Sequence, residues 1–347
     1  MTATPATREA LFTICPVFVA SHIAVEFGWL DEELSRIGAS SRYLRSLALE
    51  HWPAHFNQQS DRLFRDGGAI PAIWANAEAG KTVLLGLTRA FNGGQMLVRA
   101  DADIHSVADL RGKRIGLPHS PAALIDWWRA VSQRAWHSAL RIGQVAPEQV
   151  QWLDIEYPQS SATPTPYARP GDHWRGLSRH DLAFAPEVLA LQDGRVDAIY
   201  SGQGKSLILE RSGKFKVIED FNLRPDWTLQ VANSPFTLTV SRALADNHPD
   251  IVVAYLRASI RAGRWINQHK AAAAPLINRL TYHPSVADTL AAISLTDFVP
   301  NLNPQNLAGI GLAKRWLLEL GYIREDFAVQ EWADERFLAQ ALKELEC

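Results

Sequence analysis

Residues 98–117 read VRADADIHSVADLRGKRIGL. A strand ends at 98–100, a short helix follows at SVADL (106–110), Arg111–Gly112 makes a turn, and KRIGL opens a new strand. The same grammar runs outward on both sides. KTVLLGLT (81–88) and GQMLVRA (94–100) are β-rich runs before it. After it come a helical pattern at 122–143, a strand-like VQWLDIEY (150–157), then helix, glycine turn and strand in DLAFAPEVLALQDGRVDAIYSG (181–202). KFKVIEDF (214–221) is one more strand, and SPFTLTV (234–240) opens a largely helical C-terminal third. Strands alternating with helices predict a parallel-rich α/β architecture. The Pro/Gly/Ser-rich stretch 159–176 is expected to be a long surface loop.

The N-terminal run LFTICP (11–16) reads as a short buried strand, with a helix expected from Pro16 to the region of Gly28. Cys15 would then sit at a helix N-terminus. It is one of two cysteines; the other is Cys347, the last residue. Two such cysteines make no disulfide framework. From the residues alone, Cys15 is a buried structural thiol, a lipid attachment point or a nucleophile.

With 47% hydrophobic residues in 347, the chain can bury a sizeable core in one large or two smaller domains. A net charge of -2 argues against a nucleic-acid partner. No apolar run is long enough for a membrane span. Arg8 is cancelled by Glu9 and Pro16 interrupts the apolar run, so a cytoplasmic, monomeric protein is expected.

Three segments resemble bacterial solute-binding proteins of the nitrate, sulfonate and thiamine-precursor type: 98–117, GRVDAIYSG (194–202) and the helical run 247–277. The resemblance implies a two-lobed, periplasmic-binding-protein-like (type II) α/β fold with an inter-lobe cleft. Lobe one would comprise 1–103 and 226–347, and lobe two 104–225.

Within that superfamily the chain is similar to the 2'-hydroxybiphenyl-2-sulfinate desulfinases of dibenzothiophene desulfurisation. The motifs are Cys-Pro-Val at 15–17, His55–Phe56, Arg65 ten positions after the histidine, and Gly-Gly-x-Ile-Pro at 67–71. LLG-x-T (84–88), VDA-x-YS (196–201) and Q-x-W (330–332) add to them. The resemblance implies a catalytic Cys15, His55 and Arg65, with the sulfinate bound by Arg65, Gly67 and Gly68. Two stretches depart from the family. The segment between cysteine and histidine is longer here, and GQGKSLILE (202–210) replaces a tryptophan-containing segment.

An aryl sulfinate is an anion with two oxygens on sulfur, which a free guanidinium fork could hold. Glycine lets a ligand approach the backbone closely. The thiolate could attack the sulfinate sulfur, or the thiol could protonate the ring carbon as sulfur dioxide leaves. Neither route needs a metal or an organic cofactor. The partner is a small aromatic sulfinate or sulfonate. The alternative is a non-catalytic binding protein for a sulfonate or another small anionic or aromatic ligand.

Other features have plainer readings. His51 rivals His55 but reads as part of a solvated turn. SGQGKS (201–206) lacks the first glycine of a phosphate-binding loop, so Lys205 is expected on an exposed loop. His173, His180 and Asp181 match no zinc spacing and read as a solvated loop. Arg257, Arg261 and Arg264 read as a solvated helix face. Trp74, Trp127 and Trp152 are candidates to line the cleft.

Overall fold

The structure is a computed structural model that describes residues 8–91, 93–158, 165–175, 183–202, 204–230 and 233–346. His180, Asp181 and Cys347 lie outside the described residues. Ten strands form among the described residues: β1 (Arg8–Ile14), β2 (Ala39–Tyr43), β3 (Leu63–Gly67), β4 (Thr82–Thr88), β5 (Gln95–Arg99), β6 (Arg114–His119), β7 (Gln151–Glu156), β8 (Ala198–Ser201), β9 (Phe215–Asp220) and β10 (Phe236–Ser241). They build two sheets, in the orders β2-β1-β3-β10-β4 and β7-β6-β8-β5-β9.

Each sheet is parallel except for the strand that follows a crossing from the other. β10 runs antiparallel between β3 and β4, and β5 antiparallel between β8 and β9. The two crossings lie side by side. Gly93 N donates to Asn222 Oδ1 at 2.8 Å, and Phe221 N donates to Gly94 O at 3.1 Å. The architecture is therefore two α/β lobes joined by a double connection.

β5 pairs in the second sheet, so the first crossing is 89–94 and not the expected 103/104 junction. The apolar residues of β5 announce a strand, but strand partners far away in sequence decide which lobe it joins. The second crossing, 221–235, spans the expected 225/226 junction.

The N-terminal helix also starts later than expected. Val17 N and Val19 N donate to Cys15 O and Val17 O at 2.8 and 3.0 Å, so tight turns follow the cysteine. Helix α1 begins only at Ser21 (Ser21–Glu26). Cys15 is thus not at a helix N-terminus. Gly28, at φ 72°, does end this helix, and α2 (Trp29–Ser35) follows.

α3 (Ala54–Asn57) and α4 (Ala69–Ala79) flank β3. α5 (Pro170–Arg175) falls within the expected surface loop yet packs on lobe one, where Tyr167 N donates to Arg45 O at 2.9 Å. Lys205, expected on an exposed loop, is buried and ion-paired with buried Glu187.

The long helix α6 (Pro249–Gln268) spans lobe one and packs on α2 and on α7 (Glu335–Glu344). Two of its arginines, Arg257 and Arg261, are not part of a free solvated face. Arg257 Nε donates to the buried Glu33 at 2.7 Å and its Nη1 to Glu344; Arg261 pairs with Glu32 and lies 4.3 Å from the Trp29 ring centroid. Glu33 keeps a second partner, Arg36 at 2.9 Å, from an exposed side chain. Removing one partner of a buried ion pair leaves its charge less compensated, and the exposed Arg36 only partly replaces Arg257. Arg257→Met should therefore destabilise the fold by about 1–3 kcal/mol, less than the loss of a sole partner. The measurement is the urea midpoint at unchanged slope; an unmoved midpoint would show that Glu33 does not need this partner.

Candidate active site

β1 and β3 are neighbours in parallel register, with Thr13 opposite Arg65 and Ile14 opposite Asp66. Side chains alternate along a strand, so Thr13 and Arg65 share one face and Cys15 continues it beyond β1. In parallel sheets the carboxyl ends of strands are the usual place for ligands. Here that end gathers Cys15, Gly67 and Gly68.

Three of the residues singled out by sequence meet around one sulfur. Cys15 Sγ lies 3.4 Å from His55 Nε2 and 3.4 Å from Arg65 Nη2. The thiol is partly exposed, His55 is buried and Arg65 is fully buried. His51, on the 3-10 turn Leu49–His51, is exposed.

Arg65 differs from the free fork the sequence suggested. Its Nε donates to His55 O at 2.8 Å and its Nη1 to Gly68 O at 2.9 Å, while Nη2 points at the sulfur. Three of a guanidinium's five N–H groups are committed, none of them to a carboxylate. The side chain ties α3, the start of α4 and the thiol to β3.

His55 is held neutral. Burial drives its pKa well below 6.5, and the charges of Arg65 and Arg45 push the same way. Its Nδ1 lies 2.7 Å from Thr13 Oγ1. With the ring proton on Nδ1, donated to Thr13, Nε2 presents a lone pair to the thiol. His22 donates from Nε2 to Cys15 O at 2.8 Å, and burial lowers its pKa to about 4.

The two glycines leave room for this packing. A β-carbon on Gly67 would fall 2.2 Å from Cys15 Sγ, and one on Gly68 1.9 Å from Asn233 Nδ2. Asn233 caps the start of α4: its backbone O accepts from Ala69 N at 3.1 Å and its Oδ1 from Ile70 N at 2.7 Å.

Sequence reasoning missed the rest of the surroundings. Trp174 Nε1, on α5, donates to Ile14 O at 3.2 Å, beside the thiol's backbone. His173, expected in a solvated loop, lies tilted with its ring centroid 3.8 Å from that of Trp174, and its Nδ1 meets Tyr43 Oη at 3.2 Å. Burial, followed by the charge of Arg45, lowers its pKa to about 4. Tyr167 and Trp52 complete this aromatic group, with centroids 4.6 and 6.5 Å from His173. Trp74, Trp127 and Trp152 instead pack against the core.

No family model matches the chain. The 2'-hydroxybiphenyl-2-sulfinate desulfinase of Rhodococcus erythropolis is 26% identical over 360 residues, covering 97% of this chain and 94% of that protein. A crystal structure of the desulfurization enzyme DszB is 26% identical, with a TM-score of 0.75 over 97% of this chain and 99% of that one. A cysteine-to-serine mutant of DszB in complex with biphenyl-2-sulfinic acid superposes with a TM-score of 0.76 at 24% identity, over 97% and 99%. The putative periplasmic sulfonate-binding protein SsuA from Methylobacillus flagellatus shares the fold at a TM-score of 0.69 and 18% identity, over 98% and 95%. Along nearly its whole length the chain is thus similar in sequence to the desulfinases, and it has the two-lobed, periplasmic-binding-protein-like fold common to them and the sulfonate binders.

Proposed function

We propose that this chain is a desulfinase-like hydrolase that cleaves the carbon–sulfur bond of an aromatic sulfinate and releases sulfite, with Cys15 as the reacting group. The observation that carries the reading is the environment of one sulfur. A buried guanidinium with no carboxylate on it among the described residues points an N–H at Sγ, and a neutral imidazole nitrogen faces Sγ at the same distance. A buried cation without an ion-pair partner is costly unless an anion completes it. A thiolate or an anionic substrate supplies that charge. The full-length similarity to the desulfinases points to the same chemistry.

The reaction balances with water alone: an aryl sulfinate and water give the arene and hydrogensulfite. In either route the thiol proton ends on the ring carbon. In one, Sγ bonds to the sulfinate sulfur as the carbon–sulfur bond breaks, and water then frees sulfite from Sγ. In the other, sulfur dioxide leaves as the carbon is protonated, and water hydrates it while a proton returns to Sγ. His55 orients the thiol and takes or returns its proton. A shallow depression lined by Pro16, Val17, Phe18, Phe236, Thr281, Tyr282 and His283 adjoins Cys15 in the chain. The reading carries a cytoplasmic, monomeric enzyme without metal or cofactor.

Sulfite release from 2'-hydroxybiphenyl-2-sulfinate and simpler aryl sulfinates is the direct test. Wild type should turn over, and Cys15→Ser should lose turnover while still binding. Undiminished release by Cys15→Ser would remove the cysteine from the mechanism, and binding without turnover by wild type would make the chain a binder.

The state of His55 sets a pH dependence. Its folded pKa is depressed, so the neutral ring persists as pH falls through 6.5 and is lost only well below that value. The acid limb of kcat/KM should lie below 6.5. A limb at the ordinary histidine value would mean that His55 titrates freely.

A further inference from the structure

Cys15 lies directly after β1, where the ladder no longer holds its carbonyl. Its N–H still donates to Asp66 O on β3 at 2.9 Å. The carbonyl is held instead by Val17 N in the tight turn and by His22 Nε2, each at 2.8 Å. His22 is 2% exposed, at the start of α1, among the buried residues Ala20, Ile23 and Ala24. Its Nδ1 is buried and finds no protein partner among the described residues. An unpaired buried polar atom costs stability, and an apolar side chain would avoid that cost. The one hydrogen bond of this ring goes to the residue that carries the thiol. Ser21, its neighbour on α1, donates to Asp66 Oδ2 at 2.5 Å, so the first turn of the helix grips both Cys15 and the residue that accepts from Cys15 N.

We propose that His22 is a positioning residue for the thiol: through the Cys15 carbonyl it fixes the backbone from which Sγ reaches His55 and Arg65. The proposal deepens the desulfinase reading and rests on Cys15 as its reacting group. The bond is to the carbonyl and not to the sulfur, so His22 acts through Cys15. On the β3 side the sulfur has no slack, because a β-carbon on Gly67 would fall 2.2 Å from it. On the other side the turn after Cys15 is closed by backbone bonds alone, except for this imidazole. The ring suits the task on two counts. It is rigid, so few torsions are frozen when its N–H is aimed. It is neutral, since burial lowers its pKa to about 4, and it holds the carbonyl without adding a charge to that of Arg65. Small errors in the placement of a reacting group cost rate rather than binding.

Two variants test this. His22→Leu removes the donor; His22→Gln carries an amide N–H the same number of bonds from Cα. The readouts are the rate of Cys15 alkylation by iodoacetamide, followed on its own peptide by mass spectrometry, kcat and KM for 2'-hydroxybiphenyl-2-sulfinate, and the urea midpoint. His22→Leu should lower both the alkylation rate and kcat by about 10- to 100-fold. KM should stay within about twofold and the urea midpoint should hold or rise. His22→Gln should restore most of both rates. A wild-type alkylation rate in His22→Leu would overturn the proposal. So would an undiminished kcat beside slowed alkylation, because the fixed position would then not matter to the reaction. Equal losses in the two variants would overturn it as well, because His22 would then only fill space. If alkylation follows the expected pattern but wild type releases no sulfite, the desulfinase reading falls and the positioning of the thiol stands.

Discussion

A single fully buried arginine organises lobe one's functional end. Arg65 sits inside the sheet, on a strand whose every residue is buried, and its guanidinium reaches two backbone carbonyls and one sulfur. Burying such a charge costs less the more of its donors find acceptors, and three of the five do so. Here those donors fix the end of β3, the helix carrying His55 and the position of the thiol. The geometry of the reacting group is therefore a by-product of satisfying one cation.

The fold was legible from alternation and apolar runs. Eight of the ten described strands fall at the runs that the sequence marks, while β2 and the site-bearing β3 lie outside them. The cysteine, histidine and arginine were reachable through the resemblance to the desulfinases, whose motifs contain all three; Cys15 follows β1, His55 lies on α3 and Arg65 on β3. What stayed hidden is non-local. β5 looks like any other strand, and only its partners assign it to lobe two. The turns after Cys15 displace a helix that the Val19–Ile23–Phe27 spacing suggests. Arg257 resembles a surface arginine until α2 supplies a buried glutamate. Arg45 and Trp52 lie in the stretch that is longer than in the desulfinase family, so no motif covers them. Trp174 and His173 come from a proline-rich segment whose composition suggests solvent, and whose docking on lobe one depends on contacts more than a hundred residues away.

The electrostatics around the thiol have one sign. Among the described residues Arg65 and Arg45 pair with no carboxylate, while His22, His55 and His173 are held neutral by burial. Asp66 is the nearby acid in the sequence, and burial raises its pKa to about 7 although Ser21 donates to it at 2.5 Å. Much of its negative charge is thus withheld near neutral pH. The region is electrically incomplete until an anion arrives, which is the complementarity expected where charge is to be bound.

Gly67 ties two distant positions into one unit of inheritance. The point where its side chain would begin is already occupied by the Cys15 sulfur, and the Cys15 β-carbon is only 2.6 Å from it. Serine or alanine at 15 keeps that β-carbon, so neither releases position 67. Glycine at 67 becomes replaceable only where position 15 is itself glycine, and the thiol is then gone. Among descendants of this chain, the loss of glycine there should therefore trail the loss of the thiol and mark lineages that have abandoned the chemistry.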